Sequence, residues 1–591
     1  MKVKNWHVIA VISCVLWLAY YPALSSPLNS VDDARLAHDL LNRSSFSWQD
    51  FWFPRSKSYF RPLVNSSFIL DQLLWGFEEP FLHLENLLLH WINTLLVYSV
   101  ARKVAGVLQF DSLVVPAVAA VLFGLHPINS EAVIWIAGRA DLLATTFILL
   151  ALLGAIQYLV SGRRGLIVMV FLACLAGALA KETALLVLPG LLLVGCMACK
   201  DKGRFPVVSS RFRAYFPAFA AGLSLAAYAV LRHQAMQGGD LGVRHVVKVV
   251  TAAEVPAKAV QQVAAASVPY LETVQTVLKG AGFYGWKLLQ PFPLSFGIIE
   301  VPDGFIWLGC LLVTLAVFLV WRLSWSGSFL LLAMLFTSVA LLVALGNITW
   351  TPYAERYMYA PSAMLALSVS LGVGMLASRR RLAWHPWLTG LFGTVMLLSG
   401  WAISQRALVW QDNVTLFADT VEKSPGFAMA QNELAQALWK QGRQDEALEI
   451  LGRVEMPETQ MAFLNKALVL VNEGKLAEAR KFLLDNLPRK ETQAYHRIIL
   501  ERLITVVELQ RKSAPSTAQA LLYDDEISGY LQQLWRRTGE PFYLYRLGQK
   551  QMETGDLSRA RESFALAYRK FPPGSIYKDP SRKLAERLTG Q

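Results

Sequence analysis

The chain has 591 residues, of which 54% are hydrophobic, 11% aromatic and only 17% charged. Soluble domains carry about 25% charged residues, so this composition excludes an ordinary soluble enzyme, and its aromatic content excludes a disordered chain. A net charge of +13 is typical of proteins that bind nucleic acid, so this class of partner has to be considered. However, the basic clusters lie in short loops without interleaved aromatic residues, and no P-loop, dinucleotide or zinc motif is found. We therefore predict no nucleic-acid partner.

Apolar runs that can span a membrane recur through residues 1–404. A spanning helix needs about 20 mostly apolar residues. Eleven runs qualify: 8–24, 81–101, 113–128, 141–160, 165–180, 183–199, 214–231, 305–321, 328–345, 358–377 and 386–403. A further stretch, 271–290, contains Lys279, Lys287 and several glycines, and we interpret it as an interfacial or re-entrant segment. The prediction is an all-α polytopic membrane domain with about eleven spans.

The distribution of basic residues predicts the orientation of these spans. With a cytoplasmic N-terminus, the Arg102-Lys103 and Arg163-Arg164 pairs, the 200–213 cluster and the triple arginine at 379–381 all face the cytoplasm. Short cytoplasmic loops hold such an excess of Lys and Arg. Residues 25–80 then form the first outer loop, and the C-terminal region lies on the same, non-cytoplasmic side.

Residues 405–591 are more polar and contain a repeat. The segments GRQDEALEIL (442–451), GKLAEARKFL (474–483) and GDLSRARESF (555–564) share a glycine, an alanine five residues later and an apolar residue four beyond that. The first two glycines are 32 residues apart, close to the 34-residue period of tetratricopeptide (TPR) repeats. We predict a TPR-like α-solenoid. It either binds an extended peptide on its concave surface or only caps or dimerises the membrane domain.

Two adjacent carboxylates begin the first outer loop. Ser30 and Asp33 have the spacing of a helix capping box, which leaves Asp32 free at a helix N-terminus. A carboxylate in that position is stabilised as an anion, which suits a general base. Asp32 is therefore a candidate catalytic base, whereas the capping box accounts for Asp33.

Other polar residues of the predicted outer side form two sets. His83, Asn86 and His90 share one helix face, where they either make interhelical hydrogen bonds or present imidazoles to a phosphate or metal.

Charged groups at membrane depth are costly, yet several recur near the outer helix ends. These groups either tie helix ends together or converge around one outer cavity. We expect the cavity. The candidate substrate- or phosphate-binding residues are Arg61, His83, His90, His126, Glu131, Arg139, Asp141, Lys181, Glu182, Glu355 and Arg356.

A series of motifs in this order resembles a known family. They are DDARLA, YFRPL (59–63), HLENLLLH, LFGLHPINSEAVIWIAGRADLLA (122–144), AKE (180–182) and ERYMYAPS (355–362). The sequence resembles the transmembrane and tetratricopeptide-repeat (TMTC) protein O-mannosyltransferases and their bacterial relatives, within the GT-C glycosyltransferase superfamily, over essentially the whole chain. Glu85 departs from the family, which usually has an uncharged residue there.

The resemblance implies an enzyme that transfers a sugar from a polyprenyl-phosphate carrier to Ser or Thr hydroxyls of exported proteins. It implies that Asp32 acts as base and Asp33 takes the second place of the acidic motif. Arg61, Arg139 and Arg356 then resemble lipid-phosphate or structural contacts. A divalent metal is possible as cofactor, with unknown ligands. The implied location is the bacterial inner membrane, or the ER membrane in a eukaryote, with the active site and repeats on the periplasmic or lumenal side.

Two alternatives remain open from the sequence. The same donor could serve a lipid or glycan acceptor, because this chain has fewer repeats than the eukaryotic family members. The chain could also be a non-catalytic, membrane-anchored repeat scaffold. Its charged residues at membrane depth argue against the scaffold, since a scaffold needs no such groups.

Overall fold

In a computed structural model, the described residues are 5–31, 33, 36, 52, 60–110, 113–205, 211–236, 270–299, 301–322, 324–343, 353–380, 386–452, 467, 469–471, 473–487, 494–571 and 577–588. Regular structure in these ranges is helical. Among the described residues, extended backbone pairs in one place, an isolated antiparallel bridge between Ile298 and Tyr353. The all-α prediction is therefore confirmed.

The chain forms two compact units, Met1–Glu433 and Leu434–Gln591. The boundary predicted from the sequence is residue 404. The helix and turn that follow belong to the first unit because Lys423 donates to the carbonyl of Leu294 at 2.7 Å, and Ser424 donates to that of Gly297 at 2.9 Å. These contacts join segments far apart in sequence, so the change in composition near residue 404 does not reveal them.

The described α-helices of the first unit include the candidate membrane spans. They are α1 (Asn5–Tyr20), α2 (Pro62–Trp75), α3 (Glu79–Val107), α4 (Val114–Gly124), α5 (Ser130–Ile134), α6 (Arg139–Ser161), α7 (Gly165–Ala180), α8 (Val187–Lys200), α9 (Phe216–Met236), α10 (Tyr270–Leu289), α11 (Phe305–Trp321), α12 (Trp325–Val343), α13 (Tyr359–Arg380), α14 (Pro386–Val409), α15 (Asn413–Lys423) and α16 (Ala428–Lys440), the last of which continues into the second unit. Helices α3 and α6 pack together and also against α4 and α7, respectively.

Five described helical segments are long and apolar enough to cross a membrane. They are Asn5–Ser25, Ile136–Ser161, Glu182–Lys200, Phe212–Ala235 and Glu355–Ser378. The pair Val114–Gly124 and Pro127–Ile134, bent by 48°, could form a sixth span. The protein is thus a polytopic membrane protein, and the count of eleven spans stays a prediction. The 271–290 stretch forms helix α10, and whether it spans also stays a prediction.

Short 3₁₀ turns adjoin the ends of several membrane helices. They are Pro127–Asn129, Ile136–Gly138, Glu182–Leu186 and Glu355–Met358. A 3₁₀ turn winds more tightly than an α-helix and serves as a connector. Six of the eleven candidate substrate- or phosphate-binding residues lie in these turns or directly beside them, so the turns position much of the site.

The second unit is a row of helices. They are α17 (Gln444–Gly452), α18 (Leu476–Asp485), α19 (Ala494–Lys512), α20 (Thr517–Thr538), α21 (Pro541–Glu553), α22 (Leu557–Lys570) and α23 (Lys578–Arg587). From α18 onward, each packs against the next, as in a solenoid. The repeat glycines have φ values of 73° to 82°, a left-handed turn that glycine adopts without a Cβ clash. The repeat alanines Ala447, Ala479 and Ala560 are fully buried.

Candidate functional site

Asp33 is a buried link between the first outer loop and the turn before α6. One carboxylate oxygen accepts from the backbone N–H of Asn29 at 3.1 Å, and the other accepts from that of Ala137 at 3.0 Å. In the predicted capping box, Asp33 would accept from the backbone N–H of Ser30, but that N–H donates to the Asn413 side chain at 3.3 Å, and the Ser30 hydroxyl donates to Glu433 at 2.7 Å. Asp33 therefore fixes the backbone directly after Asp32. Asp32 itself lies outside the described residues.

Arg139 is enclosed by protein groups. It is 1% exposed and forms ion pairs with Asp71 and Glu85, the latter at 3.1 Å. Its Nε donates to the Asn86 side chain at 3.1 Å, and its guanidinium lies 4.3 Å from the ring centroid of Phe68. These contacts tie α6 to α2 and α3 and occupy the guanidinium.

Asp71 and Glu85 share the Arg139 guanidinium. Burial raises the pKa of Asp71 to about 7, and Glu85 adds to this rise, whereas Arg139 opposes it. Sequence reasoning missed Asp71, although a lone acid within the apolar run FILDQLL was a visible signal.

The polar face of α3 makes hydrogen bonds to neighbouring elements, the first of the two roles that the sequence left open for it. His83 Nε2 donates to the carbonyl of Ser26 at 2.9 Å, and Asn86 donates to that of Trp135 at 3.0 Å. His90 Nε2 donates to the Gly124 carbonyl at 3.0 Å, so its Nδ1 accepts from the Tyr359 hydroxyl at 2.8 Å. His83 and His90 are buried; both ring nitrogens of His90 are occupied by these bonds, as is Nε2 of His83.

His126 holds the turn after α4. Its Nε2 donates to the carbonyl of Leu288 at 2.9 Å, and its Nδ1 accepts from the backbone N–H of Ile128 at 3.3 Å. A neutral imidazole satisfies both bonds. His126 therefore connects this turn to the end of α10.

The remaining candidates form a set of ion pairs that we call the outer belt. Each pair joins two different elements: Arg61 with Glu182 at 2.9 Å, Arg232 with Glu182 at 3.2 Å, Lys181 with Asp141 at 2.6 Å, Lys287 with Glu355 at 2.8 Å, and Arg356 with Glu131. Residues adjacent in sequence, such as Glu355 and Arg356, pair with separate partners. Arg232 and Lys287 were not expected from the sequence, because each lies at the edge of an apolar segment.

The belt has a buried and a more accessible part. Glu131 and Glu355 are almost fully buried, whereas the side chains of Arg61 and Glu182 are 28% and 24% exposed. The Lys181–Asp141 pair is intermediate, at 13% for each side chain. We call Arg61, Glu182, Lys181 and Asp141, together with the buried Arg232 that shares Glu182, the accessible belt. Among the described residues, its three cations and two carboxylates leave one net positive charge.

The Tyr357 ring lies between the two parts of the belt. The Arg356 guanidinium is 5.0 Å from its centroid, and the Lys181 ammonium is 5.9 Å from it. Cations within about 6 Å of an aromatic face are attracted to it. Tyr357 therefore connects the Arg356–Glu131 pair to the accessible belt.

The described part of the chain holds no cluster of three or more His, Cys, Asp or Glu residues suited to a metal ion. Each carboxylate of the outer belt faces a cation instead. These residues therefore do not fit a divalent metal.

Comparison with known proteins finds similarity over part of the chain. No family model matches. Protein O-mannosyl-transferase Tmtc1 of Drosophila melanogaster is 35% identical over 161 residues, which is 26% of this chain and 18% of that protein. Protein O-mannosyl-transferase TMTC2 of Homo sapiens is 34% identical over 158 residues, 25% of this chain and 18% of that protein. Human TMTC4 is 36% identical over 119 residues, 18% of this chain and 16% of that protein.

The chain thus covers less than a fifth of each of these relatives, and the matches are shorter than the whole-chain extent expected from the motifs. The curated homologues of this chain are TMTC-family protein O-mannosyl-transferases, to which it is similar over about a quarter of its length.

Proposed function

We propose that the protein is a membrane glycosyltransferase that moves a sugar, a hexose such as mannose, from a polyprenyl phosphate to Ser or Thr hydroxyls of exported proteins. The observation that carries the proposal is the similarity to several protein O-mannosyl-transferases. The polytopic membrane unit supports it, because a polyprenyl carrier is confined to the bilayer.

In the proposed reaction, Asp32 is the general base. The acceptor hydroxyl attacks the anomeric carbon, the new C–O bond forms with inversion, and the bond to the phosphate breaks. The polyprenyl phosphate leaves with the electron pair, and Asp32 takes the hydroxyl proton. Asp33 acts as a positioning residue, since its buried carboxylate accepts two backbone N–H groups directly after Asp32.

The accessible belt is the proposed site for the donor phosphate. A sugar–polyprenyl phosphate is a phosphodiester with one negative charge, which matches the net positive charge of this set. Arg61 is the most exposed of its cations and offers a planar fork of donors suited to phosphate oxygens. When the leaving group gains a second negative charge, positioned cations stabilise it.

The second unit is the proposed acceptor-binding domain, on the non-cytoplasmic side with Asp32. Its left-handed repeat glycines and buried repeat alanines support a TPR-like stack. Such stacks present a concave surface to extended partners.

The test is sugar transfer by the purified full chain in proteoliposomes. The donor is a polyprenyl-phosphate-linked radiolabelled mannose, and the acceptor is a Ser/Thr-rich peptide. We expect Asp32→Asn to lower the rate by roughly 10²–10⁴-fold, the usual contribution of a general base. Glu422→Gln, which removes an exposed carboxylate, is the control and should leave the rate unchanged. Wild-type turnover by Asp32→Asn would refute the assignment of the base.

A further inference from the structure

A cavity lies at the ends of α3 and α6 opposite to the outer belt. The cavity has a volume of about 780 Å³ and is lined by residues of α1, α3 and α6 and by Gly203 and Arg204. Arg139 begins α6, whereas Val160, near its other end, lines this cavity. At a rise of 1.5 Å per residue, the two lie about 30 Å apart. The cavity is therefore separate from the candidate site.

The polar lining of this cavity is basic. Arg102, Lys103 and Arg204 line it, and no carboxylate from the described part of the chain does. The Asn5 amide oxygen, in the orientation that satisfies its neighbours, accepts from the two terminal nitrogens of Arg102 at 2.6 and 2.7 Å. This contact orients the guanidinium without neutralising its charge. The carboxylate nearest to Arg204 in sequence, Asp201, accepts from the indole of Trp325 at 3.1 Å.

The cavity also has an apolar side that leads to a second cleft. Ile9, Val107 and Leu153 line the basic cavity, and Gln109 lines both it and a smaller cleft of about 190 Å³. The smaller cleft is lined mainly by apolar side chains, among them Val115 and Val373. A charged cavity that adjoins an apolar cleft at the end of a membrane helix matches a lipid headgroup with its attached acyl chain.

We propose that this cavity binds the phosphate headgroup of an anionic phospholipid. Basic pockets between membrane helices recognise such headgroups, and each nearby cation raises the affinity about fivefold. Basic loops orient a chain in the membrane through their charge alone, and this role does not require a cavity. Arg163 and Arg164 lie at the same end of α6 and supply such charge without lining the cavity. The proposal does not depend on the glycosyltransferase assignment.

The first test compares two charge-matched double variants of the full chain. The protein is reconstituted in phosphatidylcholine nanodiscs that contain phosphatidylglycerol as the minor lipid, and retained phosphatidylglycerol is measured by native mass spectrometry. Two cations contribute roughly thirtyfold to the affinity for the headgroup. We therefore expect the Arg102→Gln/Arg204→Gln variant to bind phosphatidylglycerol more weakly by that factor. Arg163→Gln/Arg164→Gln should retain the lipid. Equal retention in both would overturn the proposal and leave the cations a role in orientation only.

A second variant fills the cavity while keeping every charge. A Cβ added at Gly106 has no atom within 4 Å, so the indole of Gly106→Trp has room to enter the cavity. We expect this variant to lose phosphatidylglycerol with an unchanged unfolding temperature. Full retention would overturn the cavity as the binding site. Displacement of the lipid by an equal concentration of inorganic phosphate would also overturn it, because the ligand would then be free phosphate.

Discussion

Two arginines that the sequence places in one candidate set have opposite surroundings. Arg139 is 1% exposed, and its guanidinium is occupied by Asp71, Glu85 and neighbouring polar atoms. Arg61 is 28% exposed and forms an ion pair with Glu182. A ligand can reach Arg61 but not Arg139 without unpacking three helices. Arg139 therefore stabilises the fold, and Arg61 is the better candidate for contact with a substrate.

Replacement of Arg139 should destabilise the membrane unit. Arg139→Gln leaves Asp71 buried without its cation, and breaking a buried ion pair costs about 3–5 kcal/mol. We expect a lower thermal unfolding midpoint for the purified protein in detergent. Arg163→Gln, at an exposed position, should leave the midpoint unchanged. An unchanged midpoint in Arg139→Gln would contradict the structural role.

Asp33 permits a test of positioning as distinct from base catalysis. In Asp33→Asn, the amide can accept from only one of the N–H groups of Asn29 and Ala137, so the backbone after Asp32 is held less firmly. A shift of about 1 Å can cost roughly 10²-fold in rate, and we expect a loss up to that size. The pH profile of transfer should keep its shape, because Asp32 still titrates. A profile that loses its acidic limb would instead make Asp33 the base.

At the scale of elements, helices α10 and α11 approach very closely. A Cβ on Gly309 would lie 1.9 Å from the carbonyl oxygen of Leu278, and one on Gly282 would lie 2.0 Å from that of Phe305. Small residues permit such approach between membrane helices. The pair matters for the site because α10 carries Lys287, the partner of Glu355.

Gly309→Ala should therefore force these helices apart. Overpacking of a well-packed contact costs about 1–3 kcal/mol, and we expect the thermal unfolding midpoint to fall accordingly. Gly222→Ala on α9 is the matched control, because a Cβ there meets no atom within 4 Å. Equal midpoints for the two variants would show that α10 and α11 lie farther apart than these distances indicate.

Elements with local signals were predictable, and contacts between distant elements were not. The repeat glycines Gly442, Gly474 and Gly555 were identified from spacing alone, because a left-handed turn between paired helices is a local requirement. The sequence predicted that His83, Asn86 and His90 share one helix face. Their hydrogen-bond partners were not predicted, because those partners belong to other elements. The pairing of Asp71 with Arg139 likewise depends on packing of α2 against α6, which no local pattern specifies.

At the scale of the molecule, the division into two units lets the proposed sugar transfer and the proposed acceptor binding be tested separately. Residues from 434 onward form their own compact unit with a buried core that includes Leu503, Ile527 and Leu534. If this unit only recruits acceptors, the membrane unit retains the chemistry. Peptides too short to use the repeats would then be modified without it, and larger acceptors would lose the gain in effective concentration.

The corresponding prediction concerns a chain that ends after Lys440, which keeps α16 whole. We expect it to modify a short Ser/Thr peptide at close to the full-chain rate and an unfolded exported protein roughly 10²-fold more slowly, the lower range of gains from linked binding. The assay is the proteoliposome transfer reaction, with unfolding midpoints of both chains as the folding control. Equal losses of both acceptors would contradict separate roles. Unchanged transfer to the protein would instead favour a lipid or glycan acceptor, since the repeats would then contribute nothing to protein recognition.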